Sequence, residues 1–396
     1  MNSNSSNSIL QNLFDFGLEE ILQKIFLNLD PKSLKNAKLT CTTWKEFIDR
    51  RIWNSRTARG LLHSELIFQW KNEVEEPMKV CERDVSGYGM YITFVVCDLQ
   101  VILCSLRSGK VLAFDANACE FLYSLDLSSS LTTGGVQMDV SKKHAMIVCE
   151  NSGLVLILDK ITGKVLFRDF SHNEHFSRGL HQSSSVLGLK MLENVGVAGA
   201  QSGKICFIRN SNNNDENSIW ETQTVDSGIS DITHIEGDEQ MLVIGSRSGA
   251  YLWDTKEMQI VPSETSVNVK VWMLSFHYPF VFVIGGDDWN GMKMFDIVKG
   301  KLERHIQNDI PFHNIHSNGR FILLSEMMNH RTPINVAIYD QNELLVPGLR
   351  DDDLWCRIYA YTSAGYSFSS VIAVSNMTKY IVTNRNTLTV YDFWKD

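Results

Sequence analysis

One short pattern recurs seven times in the chain and constrains its fold more than any other feature. In each copy an apolar strand leads into a small turn and a second apolar strand follows, as in "SGKVLAFD" and "NGMKMFD". The second strand closes on an aspartate or, once, an arginine, at Asp115, Asp159, Arg209, Asp254, Asp296, Asp340 and Asp392. Repeats of about 40–45 residues built from short strands are typical of rings of four-stranded β-sheets. The spacing therefore predicts seven such sheets.

The last copy, "NTLTVYD", decides how the ring is expected to close. In each repeat the closing strand is the third of four, so the final sheet still needs an outer strand after Asp392. The segment "MKVCERDV", from Met78 to Val85, is extended in character and precedes the first repeat. Because an open sheet edge leaves backbone groups unpaired, we expect this segment to supply the missing strand. The prediction is an all-β, seven-bladed β-propeller over residues 78–396, closed by an N-terminal outer strand.

One copy of the pattern, "YLWD" at Tyr251–Asp254, contains the dipeptide Trp-Asp, and the other copies are relaxed versions of it. The region from residue 78 onward therefore resembles the WD-repeat family in a degenerate form. No Gly-His dipeptide opens any repeat, so the resemblance does not extend to the His–Asp hydrogen-bond network of that family. A related propeller outside the WD family stays open as an alternative.

The first 77 residues follow a different pattern. Residues 1–13 are predicted to be disordered, and "LEEILQKIFLNL" at residues 18–29 then spaces its apolar residues three and one apart, as on one face of an amphipathic helix. Asp30 with Pro31 begins a second short helix, and Thr43 with Glu46 caps a third. Residues 54–77 are predicted to form a linker helix. So small a helical unit is expected to bind a partner with its surplus apolar face; the alternative is that this face only packs the helices together.

Residues 14–53 are similar to the F-box family. The similarity rests on the Glu-Ile-Leu start of the first helix, on "LDPKSL" and on Cys41 with Trp44, while Gly17 stands where the family usually has proline. The resemblance implies that this head docks on a Skp-type adaptor and through it on a cullin. It assigns the adaptor contact to Leu18, Ile21, Leu22, Ile25, Phe26, Leu29, Pro31, Leu34, Leu39, Cys41, Trp44 and Phe47.

The turns between the second and third strands of the repeats carry basic and aromatic residues, and the topology of a propeller places these turns on one face. The candidate substrate site consists of Arg107, Arg247, Trp289, His330, Arg331 and Arg385. Because guanidinium groups bind carboxylates and phosphates in a planar, bidentate way, an acidic or phosphorylated peptide would suit such a site. The alternative is that these are solvated turns, with Asp287, Asp288 and Glu150 close enough to neutralise the arginines.

The composition of the chain limits the classes of binding partner and the cellular compartment that we expect for it. The net charge of −9 and the pI near 5.7 argue against a nucleic-acid partner, which requires a basic footprint. No signal peptide and no apolar run of about 18 residues is found, so no membrane partner is expected. The eight cysteines form no CxxC pair, which favours buried thiols over a disulfide framework or a zinc site. We expect a cytoplasmic and/or nuclear protein.

Catalysis finds little support in the sequence. The motifs of serine hydrolases, zinc proteases, phosphate-binding loops and dinucleotide folds are missing. His172, His175 and His181 fall in a polar loop and are interpreted as solvated rather than as metal ligands. We therefore expect no cofactor, no metal and no catalytic residue. By resemblance, the chain is the substrate-recognition subunit of a Skp–cullin–F-box (SCF) type ubiquitin ligase; the alternative is a non-enzymatic scaffold that bridges proteins through its propeller outside such complexes.

Overall fold

The chain divides into two compact units, Met1–Glu75 and Glu76–Asp396, in a computed structural model. The described residues are 19–27, 37, 40, 42–48, 78–98, 100–116, 118–130, 135–149, 152–169, 186–211, 219–261, 267, 269–286, 291–307, 312–317, 321–326, 334–340, 344–345, 355–360, 369–373, 379–384 and 386–392. The predicted disordered segment 1–13 and the linker helix 54–77 lie outside these ranges. Among the described helices, none has the length and apolar character needed to cross a membrane.

The smaller unit is held together by an aromatic contact between two helices. They are α1 (Glu19–Leu27) and α2 (Thr42–Phe47). The ring of Phe26 lies edge-on to Trp44, with centroids 5.4 Å apart, and 5.9 Å from the ring of Phe47. Leu22 and Ile48 are fully buried beside them. Burial of each such side chain stabilises the unit by about 1.5–3 kcal/mol, so the apolar spacing of α1 also serves its own packing.

The larger unit consists of four-stranded antiparallel sheets, one for each sequence repeat. Sheet 1 is formed by β2 (Ile92–Cys97), β3 (Val101–Leu106), β4 (Lys110–Asp115) and β5 (Phe121–Asp126). Sheet 2 is formed by β6 (Val136–Val140), β7 (His144–Cys149), β8 (Leu154–Asp159) and β9 (Val165–Asp169). Sheet 3 is formed by β10 (Val186–Met191), β11 (Val195–Ala200), β12 (Lys204–Asn210) and β13 (Trp220–Asp226).

The next three sheets repeat this order. Sheet 4 is formed by β14 (Ile232–Gly237), β15 (Met241–Ser246), β16 (Ala250–Asp254) and the two-residue β17 (Gln259–Ile260). Sheet 5 is formed by β18 (Val271–His277), β19 (Phe280–Gly285), β20 (Gly291–Asp296) and β21 (Lys301–Gln307). Sheet 6 is formed by β22 (Phe312–Ser317), β23 (Phe321–Glu326), β24 (Ile334–Asp340) and β25 (Trp355–Ala360).

Sheet 7 joins strands from two distant parts of the chain. Its order is β1 (Met78–Asp84), β28 (Thr387–Asp392), β27 (Lys379–Asn384) and β26 (Ser369–Ala373). In the antiparallel pairing of β1 with β28, Met78 lies opposite Asp392 and Asp84 opposite Thr387. The Val85 N–H continues the ladder by donating to the Asn386 carbonyl at 2.7 Å. The segment around Val80 is thus the neighbour of the last repeat strand.

The core lies between consecutive sheets. The first strands of neighbouring sheets contact one another in sequence order, and β26 of sheet 7 contacts β2 of sheet 1. The second strand of a sheet is buried on both faces, as in β3 and β7, where every residue is buried. This explains why these strands are continuous apolar runs without alternation. One such cluster joins Val85, Phe114, Leu388 and Val390 across sheets 7 and 1.

The sequence-based expectation that the cysteines are free thiols is wrong at one pair. A disulfide joins Cys81 of β1 to Cys119 in the turn between β4 and β5, with Cα atoms 6.5 Å apart. Arg83 Nε also donates to the Cys119 carbonyl at 2.8 Å. Because β1 lies on the outer edge of sheet 7, it comes close to this turn of sheet 1, which a search for CxxC spacing does not detect. Cys97, Cys104, Cys149 and Cys206 take no part in a disulfide.

Candidate functional site

The apolar stripe of α1 divides into a buried part and an exposed part. Leu22 and Phe26 face the core of the smaller unit, whereas the Ile21 side chain is 46% exposed and Ile25 is half-buried. On α2, Phe47 is buried and Trp44 half-buried. The remaining adaptor-binding residues assigned by resemblance lie outside the described residues, namely Leu18, Leu29, Pro31, Leu34, Leu39 and Cys41. Ile21 is therefore the described residue of the stripe most available to a partner.

The repeat aspartates have a local structural role. Asp254 accepts hydrogen bonds from the N–H groups of Lys256 and Glu257 at 2.8 and 2.9 Å, and Asp159 caps its own turn in the same way through Thr162. Burial alone would raise the pKa of Asp159, but the hydrogen bonds from Thr162 and Ile161 hold it below the usual value. Such side-chain caps end the third strand and turn the chain toward the fourth. Turn geometry thus explains the repeat aspartates at positions 115, 159, 254 and 296.

Two of the predicted substrate-site arginines occupy equivalent turns. Arg107 follows β3 and its N–H donates to the Tyr91 carbonyl at 2.9 Å, while Arg247 follows β15 and donates to the Asp231 carbonyl at 3.3 Å. In both cases the partner is the residue just before the first strand of the same sheet. Both arginine side chains are exposed, and neither forms an ion pair with a carboxylate among the described residues. The other predicted members, Trp289, His330, Arg331 and Arg385, lie outside the described residues.

The sequence analysis did not identify a row of charged residues that lies on the first strands of sheets 2, 3 and 4. Lys190 Nζ lies 2.7 Å from a carboxylate oxygen of Glu236 and 3.7 Å from one of Asp139. Burial alone would lower the pKa of Lys190, but the two carboxylates raise it above its usual range. These three residues face Val197, Val243 and Met146 at the same register of their sheets. A comparison of equivalent repeat positions could have revealed them.

His234 lies on the same strand as Glu236, in a more apolar setting. Its Nδ1 atom is buried and has no hydrogen-bond partner among the described residues. Burial lowers the pKa of His234 to about 4, because the charged imidazolium loses its hydration. Within the described part of the chain, no three His, Cys, Asp or Glu side chains are grouped so as to hold a metal ion.

Comparisons with known proteins agree with these two units. Several solved structures resemble the larger one, including the Pan2 WD40 domain of Neurospora crassa, with 8% identity and a TM-score of 0.58 over 82% of this chain and 97% of that one. The WD40 repeats of RRP9 align with 12% identity and a TM-score of 0.57 over 80% of this chain and 99% of that one. At such identities the likeness concerns the fold, and it defines a WD40-like propeller.

The smaller unit is matched by sequence. Residues 19–59 fit the model of the F-box-like family, whereas no curated protein sequence matches the chain. The chain thus combines an F-box-like segment with a WD-like propeller fold. F-box domains generally bind a Skp-type adaptor.

Proposed function

We propose that this chain is the substrate-recognition subunit of an SCF-type ubiquitin ligase. In this role the F-box head docks on a Skp-type adaptor and through it on a cullin, and the propeller holds the substrate protein, in the cytoplasm and/or nucleus. The observation that carries the proposal is the F-box-like match at residues 19–59 ahead of a WD-like propeller. The exposed Ile21 on α1 supports it, since an apolar helix face fits an apolar groove on a partner.

We further propose that the larger unit is one seven-bladed ring closed by β1. Support comes from the pairing of β1 with β28 and from the contact of β26 with β2, which join the last repeat to the first. Closure removes the free sheet edge that an unfinished blade would present. It also makes β1 the first strand of the ring after the head in the chain.

In this mechanism the chain acts by proximity. Holding a substrate beside a ubiquitin-loaded conjugating enzyme converts a chance encounter into an effectively intramolecular step, which raises the local concentration of the acceptor lysine. The catalytic groups then belong to other subunits of the assembly. The propeller contributes binding energy and orientation, and the head contributes the link to the scaffold.

For the substrate contact we propose the turns that carry Arg107 and Arg247, together with Trp289, His330, Arg331 and Arg385. The exposed guanidinium groups of Arg107 and Arg247 support this, because they are free of carboxylate partners in the described structure. An acidic or phosphorylated segment would complement them. Binding of this kind weakens as the salt concentration rises.

The test of the proposed function is co-purification of a Skp-type adaptor and a cullin with the full chain. We expect Ile21→Asp to remove both, because a charge at an exposed docking position opposes burial in a groove. Lys45→Ala, an exposed change on α2, is the matched control and should retain both. Unchanged thermal unfolding of both variants would show that the fold survives. A wild-type chain that brings down substrates but no adaptor would overturn the ligase role and favour the scaffold alternative.

A further inference from the structure

The turn between β4 and β5 carries a cysteine at a position where two other sheets have glycine. Cys119 lies four residues after the repeat aspartate of sheet 1, and the residues at the same place in sheets 2, 4 and 5 are Gly163, Met258 and Gly300. All four have a positive φ, between 54° and 70°. A residue with a Cβ atom is strained in this left-handed conformation, whereas glycine is not. The requirements of the turn therefore do not explain why Cys119 is a cysteine.

Two residues of β1 hold Cys119 from the neighbouring sheet. Cys81 forms the disulfide with it, and Arg83 donates from Nε to its carbonyl oxygen at 2.8 Å. Cys81 and Arg83 lie opposite Val390 and Leu388 of β28, so their side chains are on one face of β1. That face packs against sheet 1 in the apolar cluster that contains Cys119. The cysteine thus lies where it can fasten the N-terminal strand of sheet 7 to the first repeat.

The two cysteines of the disulfide differ in their access to solvent. Cys119 is fully buried, whereas Cys81 is partly exposed. A thiolate in solution therefore reaches the disulfide most readily at Cys81. The guanidinium group of Arg83 is bound to the Cys119 backbone, and a nearby positive charge stabilises a thiolate. Because exchange is faster when the departing sulfur is the more stable thiolate, Cys119 is the favoured leaving group.

We propose that Cys81 and Cys119 form a redox-active site whose co-substrate is a small-molecule thiol of the glutathione class. A thiolate of the co-substrate attacks the Cys81 sulfur, the sulfur–sulfur bond breaks, and its electron pair leaves on Cys119 as a thiolate. A second co-substrate thiolate attacks the co-substrate sulfur of the mixed disulfide and releases Cys81 as a thiolate. Both cysteines take up the protons that the co-substrate thiols lost, and the co-substrate leaves as its disulfide. The reverse reaction with that disulfide closes the bond again.

Reduction of this site changes how β1 is held. The ladder between β1 and β28 remains, but the covalent link from sheet 7 to sheet 1 is lost. A cross-link limits the conformations that an opened strand can adopt, so its loss favours local opening of β1 over unfolding of the whole unit. The site is thus a reversible fastening of the N-terminal strand to the first repeat, and it does not depend on the proposed ligase function.

The experiment exposes the oxidised full chain to glutathione at several ratios of its thiol form to its disulfide form. Free thiols are trapped by alkylation, and peptide mass spectrometry locates each product. During reduction we expect glutathione on Cys81 and the alkylated thiol on Cys119, and the protein disulfide should return when the ratio is reversed. Hydrogen exchange of the β1 amides should become about tenfold faster on reduction, while exchange in β7 of sheet 2 stays the same.

Three variants sharpen the test. Arg83→Gln should slow the reduction about threefold or more, because it removes the charge that stabilises the departing thiolate. Lys256→Gln, which removes an exposed charge from the turn between β16 and β17, is the matched control and should react as the wild type does. In Cys81→Ser the buried Cys119 should take up no glutathione. Glutathione mainly on Cys119, a disulfide that does not form again, or β1 exchange that is unaffected by reduction would each overturn the proposal.

Discussion

Neighbouring sheets are joined by different chemistry at two places in the larger unit. One is the junction of sheets 7 and 1, and the other is the row of charged residues on the first strands of sheets 2, 3 and 4. The first uses the disulfide of Cys81 with Cys119 and an apolar cluster around Val85 and Leu388. The second places Lys190 between Asp139 and Glu236. A cross-link stabilises mainly by restricting the unfolded chain, whereas a half-buried ion pair such as that of Lys190 contributes little net stability but is costly to leave incomplete. The covalent link attaches β1, the N-terminal strand of sheet 7, to the turn between β4 and β5 of sheet 1.

The largest expected change in the free energy of unfolding comes from removing the lysine of the charged row. Lys190→Met leaves Asp139 and Glu236 close together without a cation, which we expect to lower the free energy of unfolding by about 3–5 kcal/mol. Denaturant titration of the full chain measures it. The triple variant Asp139→Asn/Lys190→Met/Glu236→Gln should regain most of the loss, because it removes the uncompensated charges. Lys301→Met, which breaks the exposed pair with Glu303, is the control and should cost less than about 1 kcal/mol. Equal effects of the two single variants would contradict the comparison.

At the other junction, the disulfide closes a loop with a sequence separation of 38 residues. We expect Cys81→Ser to cost roughly 2–4 kcal/mol under oxidising conditions. Addition of dithiothreitol should lower the Tm of the wild type to near that of the variant and leave the variant unchanged. Thiol titration of the unfolded wild type should count two more thiols after reduction than before. If reduction changes neither the Tm nor the thiol count, Cys81 and Cys119 are free thiols in the purified protein.

Much of the fold can be predicted from the sequence repeat. Strands β4, β8, β16, β20, β24 and β28 end at the repeat aspartates, and β12 ends one residue past Arg209. An aspartate that accepts hydrogen bonds from the N–H groups two and three residues later is a local feature, as at Asp254 and Asp159, so it can be recognised in the sequence. The tight packing of buried second strands is likewise visible as continuous apolar runs. The architecture is therefore predictable from local chemistry repeated at a fixed interval.

Contacts between repeats are harder to predict. Cys81 meets Cys119 only because the N-terminal strand joins the last sheet, and neither residue belongs to a recognisable motif. The division of the α1 stripe into buried Leu22 and exposed Ile21 depends on how α2 crosses it, which helical spacing does not specify. Periodicity thus predicts which residues are apolar and where strands end, whereas the candidate site depends on three-dimensional neighbours.

The smallest effect concerns acid stability of the first strand of sheet 4, beside the charged row. Burial holds the pKa of His234 at about 4 in the folded chain, while an unfolded histidine takes up its proton near pH 6.5. Because the unfolded state binds more protons between these values, the free energy of unfolding falls as the pH falls from about 6.5 to 4, by at most about 3 kcal/mol. His234→Leu should remove this part of the pH dependence, measured as the difference between the two pH profiles of unfolding. A His234→Leu profile parallel to that of the wild type would contradict the prediction, because it would show that His234 takes up its proton at the same pH in the folded and the unfolded chain.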